Sequence, residues 1–455
     1  MAQQATAPNY LPKVREQYEA LPYPPCDAED EYKRLSVTLF DRLDYLNHRF
    51  YRGRANFKGF RALSAGDGTG DASVFMAEQL SEFGGEVVSL DMSSASQAIA
   101  KRRAEIRGLT NITYLNESLL DIPKLNLGEF DFISCSGVLH HLADPDEGLR
   151  TLIGALKPGG ILGVMVYAQT GRTGIYHMQA LLNELLDKKN DPIDEQINLA
   201  RTIIDHLPES NWLWHMHNYT MHDILHFGDS GIFDLLLHTQ DRAYTIPQTY
   251  EWVKNCGGTF AEFVFGENHQ EVLLNPAIHI TDPEFVAQAK TIPIPDQQHV
   301  ADLLFGLNSK QTFYVTNGPV PEELTIEDTS LIPSISMVSA IAPSTAKDTA
   351  NVMRNTKEEK ATFAFPNYPI HVTFTLHETT ADLLEAIDGK RSIDEIVDRV
   401  KQQHPTLSRD EVMQQFHKFY DECRLQLVLV LRHEDGAKIP DVSTLQMRGL
   451  KRGKA

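Results

Sequence analysis

Long apolar runs are missing from this chain of 455 residues. No stretch approaches the 18 uninterrupted apolar residues of a membrane-spanning helix, so the sequence predicts no membrane span. The first residues (MAQQATAPNYLPKVREQ) lack the apolar segment of a secretory signal. Together these two absences favour a cytoplasmic location.

Cysteine is scarce as well, with only Cys26, Cys135, Cys256 and Cys423 in the whole chain. They are scattered and include no C-x-x-C pair, which excludes a disulfide scaffold and the usual zinc frameworks. The sequence therefore predicts a protein of a reducing compartment, and we predict no metal site.

Basic residues are fewer than acidic residues. The chain has 42 Lys and Arg residues against 62 Asp and Glu residues, a formal net charge of −20. A surface of this sign repels polyanions, which disfavours nucleic-acid substrates. The one basic cluster lies at residues 447–455 (MRGLKRGKA), and we predict that it is a solvated, frayed end.

What the sequence does have is a strand–turn–helix–strand pattern between Arg61 and Asp91. A short apolar strand over 62–65 leads into a turn that contains Gly66, Gly68 and Gly70. A helix from Asp71 to about Phe83 and a second strand that ends at Asp91 follow. Tight glycine turns of this kind let the backbone approach a ligand closely, so the pattern predicts a nucleotide-binding βαβ unit.

The spacing of the glycines narrows the choice of ligand. Compared with the dinucleotide pattern G-x-G-x-x-G, the third glycine comes one residue early and Asp71 takes its place. A carboxylate where a pyrophosphate would sit disfavours the alternative of a nucleotide-dependent oxidoreductase. S-adenosylmethionine has no phosphate and carries an ammonium group, so it suits this turn better, and Asp91 is placed to accept hydrogen bonds from its ribose.

Several further motifs extend the pattern over roughly residues 55–170. They are NESLLDIP (116–123), FDFISCSGVLHHL (130–142), LKPGG (156–160) and ILGVMVYA (161–168). With the glycine turn, they resemble the class I S-adenosylmethionine-dependent methyltransferases. The resemblance implies an α/β fold with a Rossmann-like seven-stranded sheet and S-adenosylmethionine as the cofactor.

The resemblance also implies a set of cofactor contacts. These are Gly66, Asp67, Gly68, Gly70, Asp91, Met92, Ser118, Leu119 and Ser136. Two positions depart from the family pattern, because Ser64 stands where an acidic residue is usual and Ser118 where aspartate is frequent. We predict that Asp67 takes over the contact to the cofactor's ammonium group.

Side chains near the predicted cofactor are candidates for the acceptor pocket. They are Tyr18, His140, Tyr167, Arg172 and Tyr176. Tyr18 and Tyr23 lie in a segment (YEALPYPP) that resembles a lid found ahead of the nucleotide domain in some methyltransferases. Of the two adjacent histidines, we expect His140 to face the cleft and His141 to pack inside.

Composition and periodicity divide the chain into seven parts. We predict a lid over 1–50, the cofactor-binding core over 51–174, a helical insertion over 175–240, the rest of the sheet with a flap over 241–318, a linker over 319–360, a small domain over 361–435 and a tail over 436–455. The insertion contains His222 and His226 at a spacing that suits a metal ion, but no carboxylate pattern accompanies them.

The small domain resembles winged-helix-like peptide-binding modules with an α+β fold, through the pattern DGKRSIDEI at 388–396. It is not strongly basic, so a peptide or protein partner is the expectation. The overall prediction is a methyltransferase whose acceptor is a protein or peptide side chain or a small metabolite. A regulatory protein that binds the cofactor without catalysis is the alternative from another functional class.

Overall fold

A central, mostly parallel β-sheet organises the N-terminal two thirds of the protein. The computed structural model describes residues 12–187, 190–215, 222–238, 240–264, 273–337, 346–364, 371–425 and 428–453. The strands of the central sheet are β1 (Arg61–Ala65), β2 (Glu86–Leu90), β3 (Ile112–Leu115), β4 (Phe130–Ser136), β5 (Leu156–Ala168), β6 (Ala243–Tyr244), β7 (Thr259–Phe263) and β8 (Lys310–Thr316).

The strand order confirms the Rossmann-like methyltransferase sheet expected from the sequence. Seven strands follow the order β3-β2-β1-β4-β5-β8-β7, and the two-residue β6 pairs with the end of β5. Strand β8 runs antiparallel to both β5 and β7, as predicted for residues 311–316. Ligands of such open sheets bind outside the carboxyl ends of the parallel strands.

Two hydrophobic cores, one on each face, hold this sheet between helices. Leu63 belongs to one core and its neighbour Ala62 to the other, because successive side chains of a strand point to opposite faces. The helices that precede β5 in the chain are α1 (Pro12–Ala20), α2 (Leu43–Arg49), α3 (Asp71–Leu80), α4 (Ser94–Ile106), α5 (Ile122–Leu125) and α6 (Pro145–Gly154).

A helical insertion interrupts the sheet after β5. It contains α7 (Thr173–Leu185), α8 (Ile193–Asp205), α9 (Trp212–His215) and α10 (His222–Ile232), followed by a wider helical turn over Phe233–Leu237. These elements share a hydrophobic core of their own, to which Met178, Ile197 and Leu236 belong. His217 and the side chain of His222 lie outside the described residues, so the predicted His222–His226 spacing stays a sequence observation.

The described residues of the second half of the sheet domain form further helices. They are α11 (Ile246–Asn255), α12 (Pro276–His279), α13 (Pro283–Ala289) and α14 (Ile294–Phe305). Across the described parts of the chain, the structure has no helix that combines the length and the apolar character needed to cross a bilayer.

A separate hydrophobic core holds the C-terminal part of the chain together. Its elements are β9 (Ile332–Ile335), α15 (Ala346–Asn355), β10 (Lys360–Ala364), β11 (His371–Thr375), α16 (Thr380–Ala386), α17 (Ile393–Gln403), α18 (Arg409–Leu425) and β12 (Leu429–Arg432), with α19 (Val442–Arg452) after them. Strands β10 and β11 form an antiparallel pair.

The segment predicted to be a linker, 319–360, contributes to this C-terminal core. Strand β9 pairs antiparallel with β12, and Ile326 and Leu331 are buried in the same core. The prediction of a linker is wrong for this stretch, because its partner strand lies almost a hundred residues further along the chain. A local reading of proline and serine content does not reveal such a pairing.

The predicted frayed tail is a docked helix instead. In α19, Leu445 is buried, and the Arg452 guanidinium lies 2.6 Å from the carboxylate of Glu78 on α3. Glu78 also pairs with Arg107 at 2.9 Å, with both side chains fully buried. Arg452 of the tail therefore helps to compensate a buried acid of the central sheet domain.

The C-terminal part also contacts the central sheet domain through His48 on α2. Its ring Nδ1 accepts a hydrogen bond from the backbone N–H of Leu431 on β12 at 3.2 Å. Burial lowers the pKa of His48 to about 4, from an ordinary value of 6.5. The folded state thus requires a neutral imidazole at this contact.

We expect the protein to lose stability on acidification because of His48. The unfolded state gains a proton below about pH 6.5, whereas the folded state resists protonation until about pH 4, so the contribution of His48 is complete above pH 6.5 and is lost between these values. The loss is about 3 kcal/mol at its limit. Urea unfolding at pH 7.5 and pH 5 measures it.

A His48→Asn variant provides the control for this pH effect. The asparagine keeps an acceptor near the position of Nδ1 but does not titrate, so its stability should change less between the two pH values. Equal changes in the variant and in the unaltered protein would show that His48 is not the group responsible.

Candidate active site

A cavity of about 530 Å³ lies outside the carboxyl ends of β1, β2, β4 and β5. Many of the residues predicted from the sequence line it: Tyr18, Gly66, Asp67, Gly68, Asp91, Met92, Leu119, Ser136, Tyr167 and Arg172. Gly70, Ser118, His140 and Tyr176 were predicted to belong to the site but do not line this cavity.

The glycine turn after β1 is close-packed against its neighbours. At Gly66, where φ is +78°, an added Cβ would lie 2.3 Å from a methyl carbon of Val138. At Gly68, where φ is +54°, an added Cβ would lie 2.5 Å from the carbonyl oxygen of Tyr23. Both positions therefore require glycine for space as well as for backbone conformation.

The carboxylate of Asp91 lies beside this turn at the tip of β2. Its Oδ2 accepts a hydrogen bond from the N–H of Gly68 at 2.7 Å, and its Oδ1 accepts one from the N–H of Ser93 at 2.8 Å. Burial raises the pKa of Asp91 to about 6. Each carboxylate oxygen can accept a second hydrogen bond, so the predicted contact with two ribose hydroxyls fits this geometry.

Asp67 has a different environment from the one predicted. Its Oδ1 accepts hydrogen bonds from the Ser64 hydroxyl at 2.7 Å and the Ser73 N–H at 3.1 Å. Its Oδ2 accepts from the hydroxyls of Ser73 and Ser89, each at 2.5 Å. With four donors already bound, Asp67 braces the turn, and the predicted ammonium contact is not supported.

Ser118 and Gly70 also have structural roles. The Ser118 hydroxyl oxygen accepts a hydrogen bond from the N–H of Leu120 at 3.3 Å and so caps a short helical turn. Gly70, with φ at +95°, packs where an added Cβ would lie 2.6 Å from the Cβ of Ala100. Neither geometry supports the predicted direct contact with the cofactor.

The N-terminal segment lies over the glycine turn. The hydroxyl of Thr69 donates to the carbonyl of Pro24 at 2.9 Å, and the hydroxyl of Ser93 donates to the carbonyl of Tyr18 at 3.0 Å. The carboxylate of Glu19 accepts the N–H of Ser94 at 2.8 Å at the start of α4. These contacts bring Tyr18 to the cavity, and a lid function of the segment stays a prediction.

At the other end of the cavity, the buried carboxylate of Asp234 binds two phenols. It accepts hydrogen bonds from the Tyr18 hydroxyl at 3.1 Å and the Tyr167 hydroxyl at 3.2 Å. Asp234 comes from the turn after α10, Tyr18 from α1 and Tyr167 from the end of β5. Three distant parts of the chain thus meet at this point.

His141 lines the cavity beside Asp234. Its Nδ1 lies 2.8 Å from the carbonyl oxygen of Gln240, which can only accept, so Nδ1 carries the proton and Nε2 carries the lone pair. Burial lowers the pKa of His141, and the nearby Asp234 opposes this shift. His141 is therefore neutral at pH 7, with a basic nitrogen available.

The predicted orientation of the two histidines is wrong. His140 is fully buried, with its ring centroid 4.1 Å from that of His141 and 3.9 Å from that of Tyr167. Residues 139–141 form a 3₁₀ turn, in which successive side chains are about 120° apart. The turn directs His141 to the cavity and His140 into the interior.

His238 completes a polar cluster with His141 and Asp234. Its ring stacks on that of His141 with 3.8 Å between centroids, and its Nδ1 accepts the N–H of Gln240 at 3.1 Å. One nitrogen or oxygen atom from each of the three residues lies within 4.8 Å of the others. This donor set is also one that divalent metal ions use.

Arg172 lies on the cavity wall near Tyr167. Its guanidinium lies 3.5 Å from the ring centroid of Tyr167 and 3.3 Å from the carboxylate of Asp241. Asp241 also accepts a hydrogen bond from Gln179 at 2.9 Å. Tyr176 lies behind Arg172, with the guanidinium 5.6 Å from its ring centroid, which explains why Tyr176 does not line the cavity.

Comparison with known proteins identifies the domain that contains the glycine turn. A family model described as a methyltransferase domain matches residues 63–162, which include the glycine turn, Asp91 and the His140-His141 pair. The chain contains a class I S-adenosylmethionine-dependent methyltransferase domain. S-adenosylmethionine is accordingly its cofactor, as the resemblance implied.

Relatives among characterised and uncharacterised proteins match part of the chain. An uncharacterized protein from Synechococcus sp. is 32% identical over 256 residues, which cover 54% of this chain and 58% of that protein. A ubiquinone biosynthesis O-methyltransferase from Xanthomonas campestris is 27% identical over 159 residues, which cover 35% of this chain and 62% of that enzyme. The chain thus spans less than two thirds of the length of these relatives.

Solved structures extend the likeness beyond the methyltransferase domain. PKMT2 from Rickettsia typhi superposes with a TM-score of 0.62 over 88% of this chain and 76% of its own, at 15% identity. The complex of PKMT2 with AdoHcy gives the same score over 89% of this chain and 76% of its own, at 16% identity. At this identity, the likeness shows a shared fold.

Proposed function

We propose that the protein transfers a methyl group from S-adenosylmethionine to an oxygen or nitrogen nucleophile. The observation that carries this proposal is one cavity that joins the glycine turn and Asp91 with a neutral histidine and a buried carboxylate. The acceptor is a protein or peptide side chain or a small metabolite. The O-methyltransferase relative supports oxygen as one of the acceptor atoms.

The cofactor supplies an electrophilic methyl group on a sulfonium, which an in-line attack transfers. In this displacement the bond from the nucleophile to the methyl carbon forms while the carbon–sulfur bond breaks, and the electron pair stays on sulfur. The protein has to align the two partners and exclude water. The enclosing contacts of the N-terminal segment with the glycine turn suit this task.

The proton of the nucleophile needs a base, and we assign this role to His141. Its Nε2 carries the lone pair, because Nδ1 is bound to the Gln240 carbonyl. The imidazolium that forms is stabilised by the carboxylate of Asp234 in the same cluster. Neutral imidazoles act efficiently as general bases near pH 7.

A labelling experiment tests the proposal. The protein is incubated with S-adenosylmethionine that carries a trideuteriomethyl group, together with cell lysate separated into protein, peptide and metabolite fractions. Mass spectrometry should find the label in one fraction, and an excess of S-adenosylhomocysteine should suppress it. Tight cofactor binding without label in any fraction would favour the regulatory alternative.

A further inference from the structure

Asp41 is a buried carboxylate on the wall of the cofactor cavity. It lies just before α2, and its residue is fully buried. Among the described residues, neither carboxylate oxygen has a hydrogen-bond partner of ordinary geometry. The hydroxyls of Thr38 and Ser134 are close enough to lower its pKa, but burial dominates and raises that pKa to about 6.

The position of Asp41 in the sheet relates it to Ser64. Ser134, whose hydroxyl is near Asp41, is the direct partner of Ser64 in the parallel pairing of β4 with β1. Ser64 is the position where the sequence departs from the acidic residue expected before the glycine turn. Asp41 therefore brings a carboxylate close to the place where the strand itself supplies only a hydroxyl.

Four other carboxylates on the cavity wall are already engaged, and Glu117 is exposed to solvent. Asp67 is bound by serines, and Asp234 accepts hydrogen bonds from two tyrosines. Asp71 forms an ion pair with Arg103 at 2.7 Å. Asp91 holds backbone N–H groups at the tip of β2, where a ribose is expected.

The backbone around Asp41 is fixed. Gln79 on α3 donates from its side-chain amide to the carbonyl of Asp41 at 2.9 Å and accepts the N–H of Leu43 at 2.9 Å. The Arg42 side chain donates to the carbonyl of Leu39 at 2.9 Å. Asp41 is thus presented to the cavity by a rigid segment.

We infer that Asp41 binds the α-ammonium group at the methionine end of S-adenosylmethionine. A buried carboxylate that has two hydroxyls nearby but no hydrogen bond of ordinary geometry among the described residues is costly, and a cationic group in the cavity removes that cost. The inference rests on the proposed function, since it assumes that the cavity binds this cofactor. It assigns to Asp41 the role that the sequence suggested for Asp67.

An Asp41→Asn variant tests the inference with two ligands. S-adenosylhomocysteine has the α-ammonium group, whereas 5′-methylthioadenosine has the same nucleoside and sulfur but no amino-acid end. By calorimetry, we expect the variant to bind S-adenosylhomocysteine about 10- to 100-fold more weakly, the range for a hydrogen bond between charged groups. Its affinity for 5′-methylthioadenosine should stay unchanged, which also shows that the variant is folded.

An Asp91→Asn variant is the matched control. Asp91 is expected to contact the ribose, which both ligands contain, so this variant should bind both ligands more weakly. Unchanged binding of S-adenosylhomocysteine by Asp41→Asn would overturn the inference and leave Asp41 as a site for buried water only. Equal weakening of both ligands by Asp41→Asn would also overturn it. If the unaltered protein binds neither nucleoside, the proposed function itself fails.

Discussion

A His141→Gln variant should transfer methyl groups about 100- to 10,000-fold more slowly than the unaltered protein. The glutamine fills a similar volume and can keep a hydrogen bond to the Gln240 carbonyl, but it has no basic nitrogen for the proton of the acceptor. Binding of the cofactor should change little, because Asp91 and the glycine turn are untouched. Single-turnover transfer of a labelled methyl group measures the rate, and calorimetry with S-adenosylhomocysteine measures the affinity.

The pH dependence of the rate provides a second readout for His141. Only the neutral imidazole can accept a proton, and burial lowers its pKa, so activity should persist at pH 6.5 and fall in more acidic solution. With the cofactor saturating, so that protonation of Asp41 and Asp91 does not limit its binding, the residual activity of His141→Gln should lack this acidic limb.

An Asp234→Asn variant separates the base from the group that supports it. It should lose activity as well, because the imidazolium then lacks the stabilising charge of Asp234, but less than His141→Gln. A His141→Gln variant with normal rates would refute the role of His141. Loss of activity on chelation, with metal found in the purified protein, would indicate instead that His141, Asp234 and His238 bind a metal ion.

An Asp91→Ala variant should bind S-adenosylmethionine at least about 100-fold more weakly than the unaltered protein. Hydrogen bonds to a charged carboxylate contribute about 1.5 to 3 kcal/mol each, and the geometry of Asp91 leaves room for two hydroxyls. The change also removes the acceptor for the N–H of Gly68, which adds to the loss. Calorimetry with S-adenosylhomocysteine gives the affinity, and thermal unfolding checks the fold.

A Glu117→Gln variant serves as its control. Glu117 is an exposed carboxylate on the wall of the same cavity, so its charge is screened by water and its removal should alter affinity by less than about threefold. If Asp91→Ala bound the cofactor as well as Glu117→Gln does, the assignment of the ribose site to β2 would be wrong.

The glycine turn and Asp91 could be placed from the sequence because their determinants are local. The glycine turn, the strand before it and Asp91 lie within about thirty residues, and their spacing reflects steric limits on a turn and on a strand end. The alternation of strands and helices likewise predicted the parallel sheet, since each helix follows its own strand. A tight turn restricts which residue types can occupy its positions, so it can be recognised from residue types at fixed spacings.

The role of Asp67 could not be predicted from local sequence patterns. Its position in the turn was predicted correctly, but the sequence did not reveal that Ser73 and Ser89 would bind its oxygens. The orientation of the two adjacent histidines was also not predictable from the sequence, because the phase of a short 3₁₀ turn decides which of them faces the cavity.

Local patterns determined the class I methyltransferase domain, its cofactor and the placement of Asp91. Only the tertiary structure revealed that Asp234 meets Tyr18 across 216 residues of sequence, and that Asp41 lies on the wall of the same cavity as the glycine turn. It also paired β9 with β12 and docked the C-terminal helix on Glu78. The physical reason is that burial and the pairing of polar groups depend on which surfaces meet in space, and sequence spacing carries no record of contacts between distant segments.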